Sequence, residues 1–192
     1  MTLTPAQFRK KGHGKTAPWV DLINSEEWDT YGKRTDWIED ASWLPFFLQQ
    51  WRFAAPGGRT TFPMAKFKSL RGALRKSCQA IWAGRRLPET ELRALNSALN
   101  VMGKRQLLQD QSGMQVDFVP QSEGWGSILA QIALSFANLV TSENRQRIKI
   151  CLNEDCRWVF YDTTKARTRR WCSDKVCGNR ERVRRARARM AD

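Results

Sequence analysis

Histidine is almost missing from this 192-residue chain: His13, between two glycines, is its one example. A lone histidine in a polar arm excludes paired-histidine metal sites and leaves a histidine base without an orienting partner. No apolar run reaches the ~18 residues that a membrane span needs, so no membrane partner is expected. Residues 1–15 contain no apolar core of a secretory signal, and a cytoplasmic location is expected, where thiols stay reduced. Gly-rich phosphate loops, nucleophile motifs, internal repeats and coiled-coil heptads are missing too. The neighbouring acids Glu26-Glu27 and Glu39-Asp40 are of a kind common in surface turns. These absences argue against an enzyme, and no catalytic residue is assigned.

Charge, by contrast, is abundant and uneven. The net charge is +14. Residues 1–16 carry four basic side chains and no acid, while residues 17–144 carry 14 basic and 13 acidic ones. Residues 145–192 hold 15 basic and 6 acidic side chains, a net of +9. Scattered charges usually only solubilise. A cationic segment beside a nearly neutral one attracts phosphate polymers by releasing their counterions.

Four of the five cysteines stand in that basic segment: Cys151, Cys156, Cys172 and Cys177, spaced C-x4-C-x15-C-x4-C. Two short-spaced pairs joined by a loop of this length suit a structural tetrahedral zinc site. Four soft thiolates close the coordination shell and leave no position for water or substrate. One structural Zn2+ is the expected cofactor. An iron–sulfur centre or a pair of disulfides are the alternatives, and the disulfides would need an oxidising compartment. The fifth, Cys78, falls on the apolar stripe of a predicted helix and reads as a core thiol.

The stretch from Ile148 to Arg189 resembles the CGNR zinc finger of bacterial proteins. The likeness rests on both cysteine pairs, the Trp171-Cys172-Ser173 step, the Cys177-Gly178-Asn179-Arg180 run and the arginine-rich tail. Proteins with this finger usually carry an N-terminal ABATE domain, and Asp21-Leu22-Ile23-Asn24-Ser25 is similar to the start of one. The resemblance implies a stress-induced transcription regulator that binds DNA.

The expected fold is mainly α with a small β-hairpin: a helical N-terminal domain followed by a small four-cysteine zinc finger made of a β-ribbon and a C-terminal helix. Residues 1–17 read as a flexible basic arm, 18–147 as the helical domain and 148–192 as the finger. Within the helical part, Asp36 is expected to cap a short helix, and Asp40 or Ser42 the next, Trp43 to Phe53. There Leu44, Phe47, Leu48 and Trp51 repeat at helical spacing. Further helices are expected from about Met64 to Gly84 and from Pro88 to Met102. A hairpin follows, turning at Ser112-Gly113. A helix from Ser127 to about Arg147, apolar nearly all round, reads as buried and central. No Gly/Ser/Pro linker separates it from Cys151, which predicts a rigidly mounted finger.

In the finger, Arg157 to Asp162 is expected to pair with Arg147 to Ile150. Lys165, Arg167, Arg169 and Arg170 make the following loop basic. Asn179 is the expected N-cap of the last helix. At 100° per residue, Val183, Ala186 and Met190 form a seam that should pack on the protein. Arg180, Arg184 and Arg187 flank it on one side, and Arg182, Arg185 and Arg189 on the other. These ten cations are the candidate nucleic-acid contacts, because guanidinium pairs with phosphate and with guanine edges. DNA is the expected partner. RNA or an acidic protein surface is the alternative, and a homodimer on two half-sites stays open. Five of nine tryptophans crowd the first 51 residues. Core packing accounts for most. An effector pocket lined by Asp21, Asn24, Trp28 and Trp43 is the second expectation, with a small-molecule ligand of unknown identity.

Overall fold

The computed structural model describes residues 17–29, 32–57, 60–100, 103–110, 113–120 and 124–191. His13 and the basic arm, apart from Ala17, lie outside them. The chain begins with a short helix, α1 (Pro18–Asn24), in which Trp19 to Asn24 are all buried. Pro18 suits the first turn, where its missing N–H has no intrahelical partner to lose. Seven residues cannot sustain a helix alone. Here packing does so, against β1 (Glu26–Trp28), α2 (Trp43–Trp51), α3 (Met64–Trp82), α5 (Trp125–Val140) and the finger strand β6 (Val159–Tyr161). Trp19 meets Phe136 edge-on at 5.3 Å, and Trp43 stacks on Phe47 at 4.7 Å. Those contacts add to area burial. Around this core lie α4 (Glu89–Leu99), the antiparallel hairpin β3 (Gly103–Asp110) and β4 (Gly113–Pro120), and finally β5 (Ile148–Ile150) and α6 (Asn179–Ala191). No described helix is long and apolar enough to cross a membrane.

The architecture is mainly α, as expected, with one more hairpin than the sequence suggested. β1 pairs antiparallel with β2 (Arg34–Asp36). Its turn is fixed by Asp29, whose carboxylate accepts the Lys33 N–H at 2.9 Å, and by Gly32 at φ +76°. Asp36 does not cap the 3-10 helix Trp37–Glu39 that follows. Its carboxylate instead forks onto Arg71 of α3, at 2.6 and 2.8 Å, with Ser25 as a further partner of the same guanidinium. Ser42 makes no cap bond on α2 either; Asp40 accepts its N–H and hydroxyl.

The helix expected to run to Arg147 ends at Val140. Thr141 and Ser142 turn their hydroxyls back onto the carbonyls of Ala137 and Leu139. The Ser142 hydroxyl then accepts the Asn144 N–H and starts a 3-10 helix, Glu143–Arg147. This hydroxyl competition with the helical ladder is what ends the run. The link feeds β5, which pairs with β6 as expected. The finger is tied back at β6 and at the turn before it. The Asn24 amide donates to the Val159 carbonyl at 2.8 Å and accepts the Val159 N–H at 3.1 Å. Arg75 of α3 donates to the carbonyls of Ile23, Glu26 and Arg157.

Asn24→Ala strips both backbone groups of Val159 of their partner, at a cost of about 1–3 kcal/mol for each one left unsatisfied. Urea unfolding should show that loss, and hydrogen exchange should show β6 opening first. Asp36→Asn takes away the carboxylate that forks onto the buried Arg71, leaving it Glu26 at 3.9 Å and the Ser25 hydroxyl, and should cost up to about 3–5 kcal/mol. Burial pushes the Asp36 carboxyl up, but Arg71 and Lys68 outweigh it and hold it below the usual range. Its contribution is complete above the ordinary aspartate value of about 3.9. It is lost as pH falls through the lower folded value, so the parent's acid limb should flatten in the variant.

Candidate metal centre

β5 delivers Cys151, whose N–H donates to the Trp158 carbonyl at 2.8 Å. The chain then turns through Asn153 to Arg157, with Cys156 N–H on the Asn153 carbonyl and Arg157 in the left-handed region at φ 53°. The second pair arrives from the basic loop. Leu152 N–H bonds the Arg170 carbonyl at 2.9 Å and brings Cys172 beside Cys151. A π-type turn, Asp174–Gly178, carries Cys177 into α6. Ser173 caps it: its hydroxyl accepts the Val176 N–H, and its carbonyl accepts those of Cys177 and Gly178. Asn179, expected as the cap, has helical dihedrals and is the first residue of α6. Gly178 relieves crowding: a Cβ there would lie 2.6 Å from the tip of the exposed Asp174 carboxylate, which would have to move, and 3.3 Å from the Trp171 ring.

The four sulfurs are buried and lie within 4.8 Å of one another. Cys156 to Cys172 and Cys172 to Cys177 are each 3.6 Å apart. A tetrahedral site with Zn–S of about 2.3 Å has edges of about 3.8 Å. A disulfide would need about 2.05 Å, and all five cysteines are free. Hydrogen bonding from Cys156 holds Cys151 below the ordinary thiol range, and the Cys151 contact pushes Cys156 and Cys172 up. Only a cation lets four such neighbours ionise together. The donor set, its closure and its spacing fit one structural zinc. Cys78 lies fully buried on α3, where burial pushes its thiol up.

The ten candidate cations occupy unlike settings. Asp162 organises the loop: its carboxylate accepts the Thr164 N–H and hydroxyl and the Arg169 N–H. The Asp162-Thr163-Thr164 spacing of an Asx turn was a readable signal for this. Arg147 braces the same loop through the carbonyls of Asp162 and Thr164, both at 2.9 Å. Lys165, Arg167 and Arg170 are exposed, and Arg170 lies over the Trp171 ring. Arg169 is spent on Phe160 and the Cys172 carbonyl. On α6, Arg182 pairs with Asp174, Arg184 with Glu154 and Glu181, and Arg185 with Glu181. Burial raises the Glu181 carboxyl, but Arg184 and Arg185 outweigh it and hold it below the usual range. Arg187 and Arg189 are exposed and form no ion pair among the described residues. Arg180, itself exposed, lines a small cavity with Trp28, Cys156, Cys172 and Cys177.

The seam of α6 does not pack on the protein. Val183 is 42% exposed and Met190 88%. The helix packs chiefly on the π-type turn, with an ion pair from Arg184 to Glu154, and its later turns are exposed. The four candidate effector residues have the following settings. Asn24 clamps Val159, and Asp21 accepts the Trp51 indole N–H at 2.9 Å. Trp43 lies in the core, and Trp28 lies under Arg75 and Arg157.

A buried thiolate cage joining a β-ribbon to a helix start, on a helical support, defines a zinc-finger protein. Residues 147–190 match the model of the CGNR zinc finger. Residues 16–143 match the ABATE model, described as "putative stress-induced transcription regulator". The chain belongs to this ABATE family. No protein of curated function matches it in sequence comparison.

Metal analysis should give about one zinc per chain. Cys172→Ser should abolish that content and Cys78→Ser should preserve it. Near-UV circular dichroism should show Trp158 and Trp171 losing their fixed environment in the first variant only.

Proposed function

We propose that this protein is a DNA-binding regulator whose contact surface is α6 together with the loop from Thr163 to Arg170. The observation that carries the reading is the exposure of α6. From Arg182 to Met190 every side chain is exposed, with arginines on both flanks of a narrow apolar seam. Thirteen residues at 1.5 Å each give a rod of about 20 Å, and the major groove, about 12 Å wide, admits one helix. A cationic helix whose outer turns no described residue covers offers a polyanion a ready surface. The ABATE family description agrees with a regulatory role.

The division of labour follows from the settings of the cations. Arg187, Arg189, Lys165 and Arg167 are free to meet phosphates. Arg182, Arg184 and Arg185 sit in surface ion pairs worth about 1 kcal/mol or less each, so a phosphate can displace their acids. Arg180 lines the small cavity beside Cys156, Cys172 and Cys177 and is left out of the phosphate contacts. In this reading residues 18–147 support and orient, and residues 148–192 contact the duplex.

Affinity for duplex DNA should fall steeply with salt. If about six phosphates are neutralised, the slope of log K against log salt is roughly −5. Arg187→Ala and Arg189→Ala should each reduce it by about one, and Asp162→Ala should weaken binding by releasing the loop. Electrophoretic mobility shifts with DNA and A-form RNA of the same length would check this. Parent-like affinity in the double arginine variant removes the reading. A preference for the RNA moves the partner to RNA.

A further inference from the structure

A cleft of about 450 Å³ opens where the end of α3, the end of α5 and the 3-10 link meet. Arg85, Arg86 and Arg145 line it beside the apolar Ile81, Leu87 and Val140, and no acid is among its lining residues. The DNA surface does not use it. Nothing in the linear order of residues announces it either, because Arg145 is some sixty positions from the other two.

Two chain reversals build the cleft. Gly84, at φ +68°, ends α3: its N–H bonds the Ile81 carbonyl, and the Arg85 N–H bonds the Ala80 carbonyl at 2.8 Å. This double closure turns the chain and delivers Arg85 and Arg86 to the cleft. Arg145 is held by the capped 3-10 helix, its N–H on the Ser142 carbonyl. Backbone N–H groups meet the carbonyls of Gln79, Ala80 and Ile81 in α3 and of Ala137 and Leu139 in α5, so the guanidinium groups are not needed as caps there. None of the three forms an ion pair or a side-chain hydrogen bond among the described residues.

Three uncompensated guanidinium groups around an apolar concavity suit one kind of ligand. The cations want a carboxylate, sulfonate or phosphate. The apolar side chains want a hydrocarbon body, and the volume lies in the usual range for small-molecule sites. A duplex backbone is convex and polar and would leave Ile81, Leu87 and Val140 unfilled. We propose that this cleft binds a small organic anion with an apolar body. The occupant would touch Arg145, two residues before the Arg147 that braces the basic loop. The site itself does not depend on the DNA reading.

The test is a fluorescence titration of the intact, zinc-loaded protein with anilinonaphthalene sulfonate. Saturable binding at one site per chain is expected. Arg86→Ala with Arg145→Ala should weaken it by at least about tenfold, and the matching lysine substitutions should retain most of it. The neutral analogue phenylnaphthylamine should bind at least about tenfold more weakly to the parent. Octanoate should displace the probe, and inorganic phosphate at equal concentration should not. Equal affinity in the alanine double variant or for the neutral probe would overturn the proposal. So would displacement by inorganic phosphate as effective as by octanoate. The lysine variants and the neutral probe keep the test decisive even if the alanine variant folds poorly.

Discussion

One buried amide holds the two parts of this protein in register. Asn24 is 1% exposed and offers both its donor and its acceptor to the backbone of Val159. Strand β6 pairs with β5 along one edge only, so the other edge of Val159 would be buried without partners. Asn24 completes that edge as a third strand would. The chain on either side of Asn24 is bonded as well. Arg75 gathers the carbonyls on either side, and the Asp36–Arg71 pair fixes the hairpin that follows α1. A short helix that is buried on every side is therefore a hub for both halves.

The zinc site resolves a second conflict. A ribbon of two three-residue strands and a turn cannot bury enough surface to fold alone. Four thiolates within 4.8 Å would repel one another, and the metal turns that repulsion into attraction. It also sets the direction of α6, because Cys177 lies in the turn that starts the helix. Metal and clamp act in series. The cysteines fix α6 to the ribbon, and Asn24 with Arg75 fixes the ribbon to α1 and α3. A helix held by such a chain of joints keeps its direction without a linker, which lowers the ordering cost of any contact it makes.

Covalent spacing and composition are local properties, and they determined much by themselves. The two C-x4-C pairs named the ligands, the +9 tail named the charged segment, and the helical spacing of Phe67, Leu70, Leu74 and Cys78 placed α3. The family resemblance was legible on the same residues. What sequence reading missed depends on partners distant along the chain. Asp36 looked like a cap because aspartate before a helix usually is one; Arg71, 35 positions away, claimed its carboxylate. Nothing near Asn24 in the sequence points to Val159, its hydrogen-bond partner 135 positions off. The α6 seam looked like a packing face because periodicity shows amphipathicity but not what covers it. Sequence thus decided the ligands, the helices and the charge. Tertiary structure decided which polar groups are consumed as joints and which remain free, because desolvation makes every buried polar group find a partner wherever the fold can supply one.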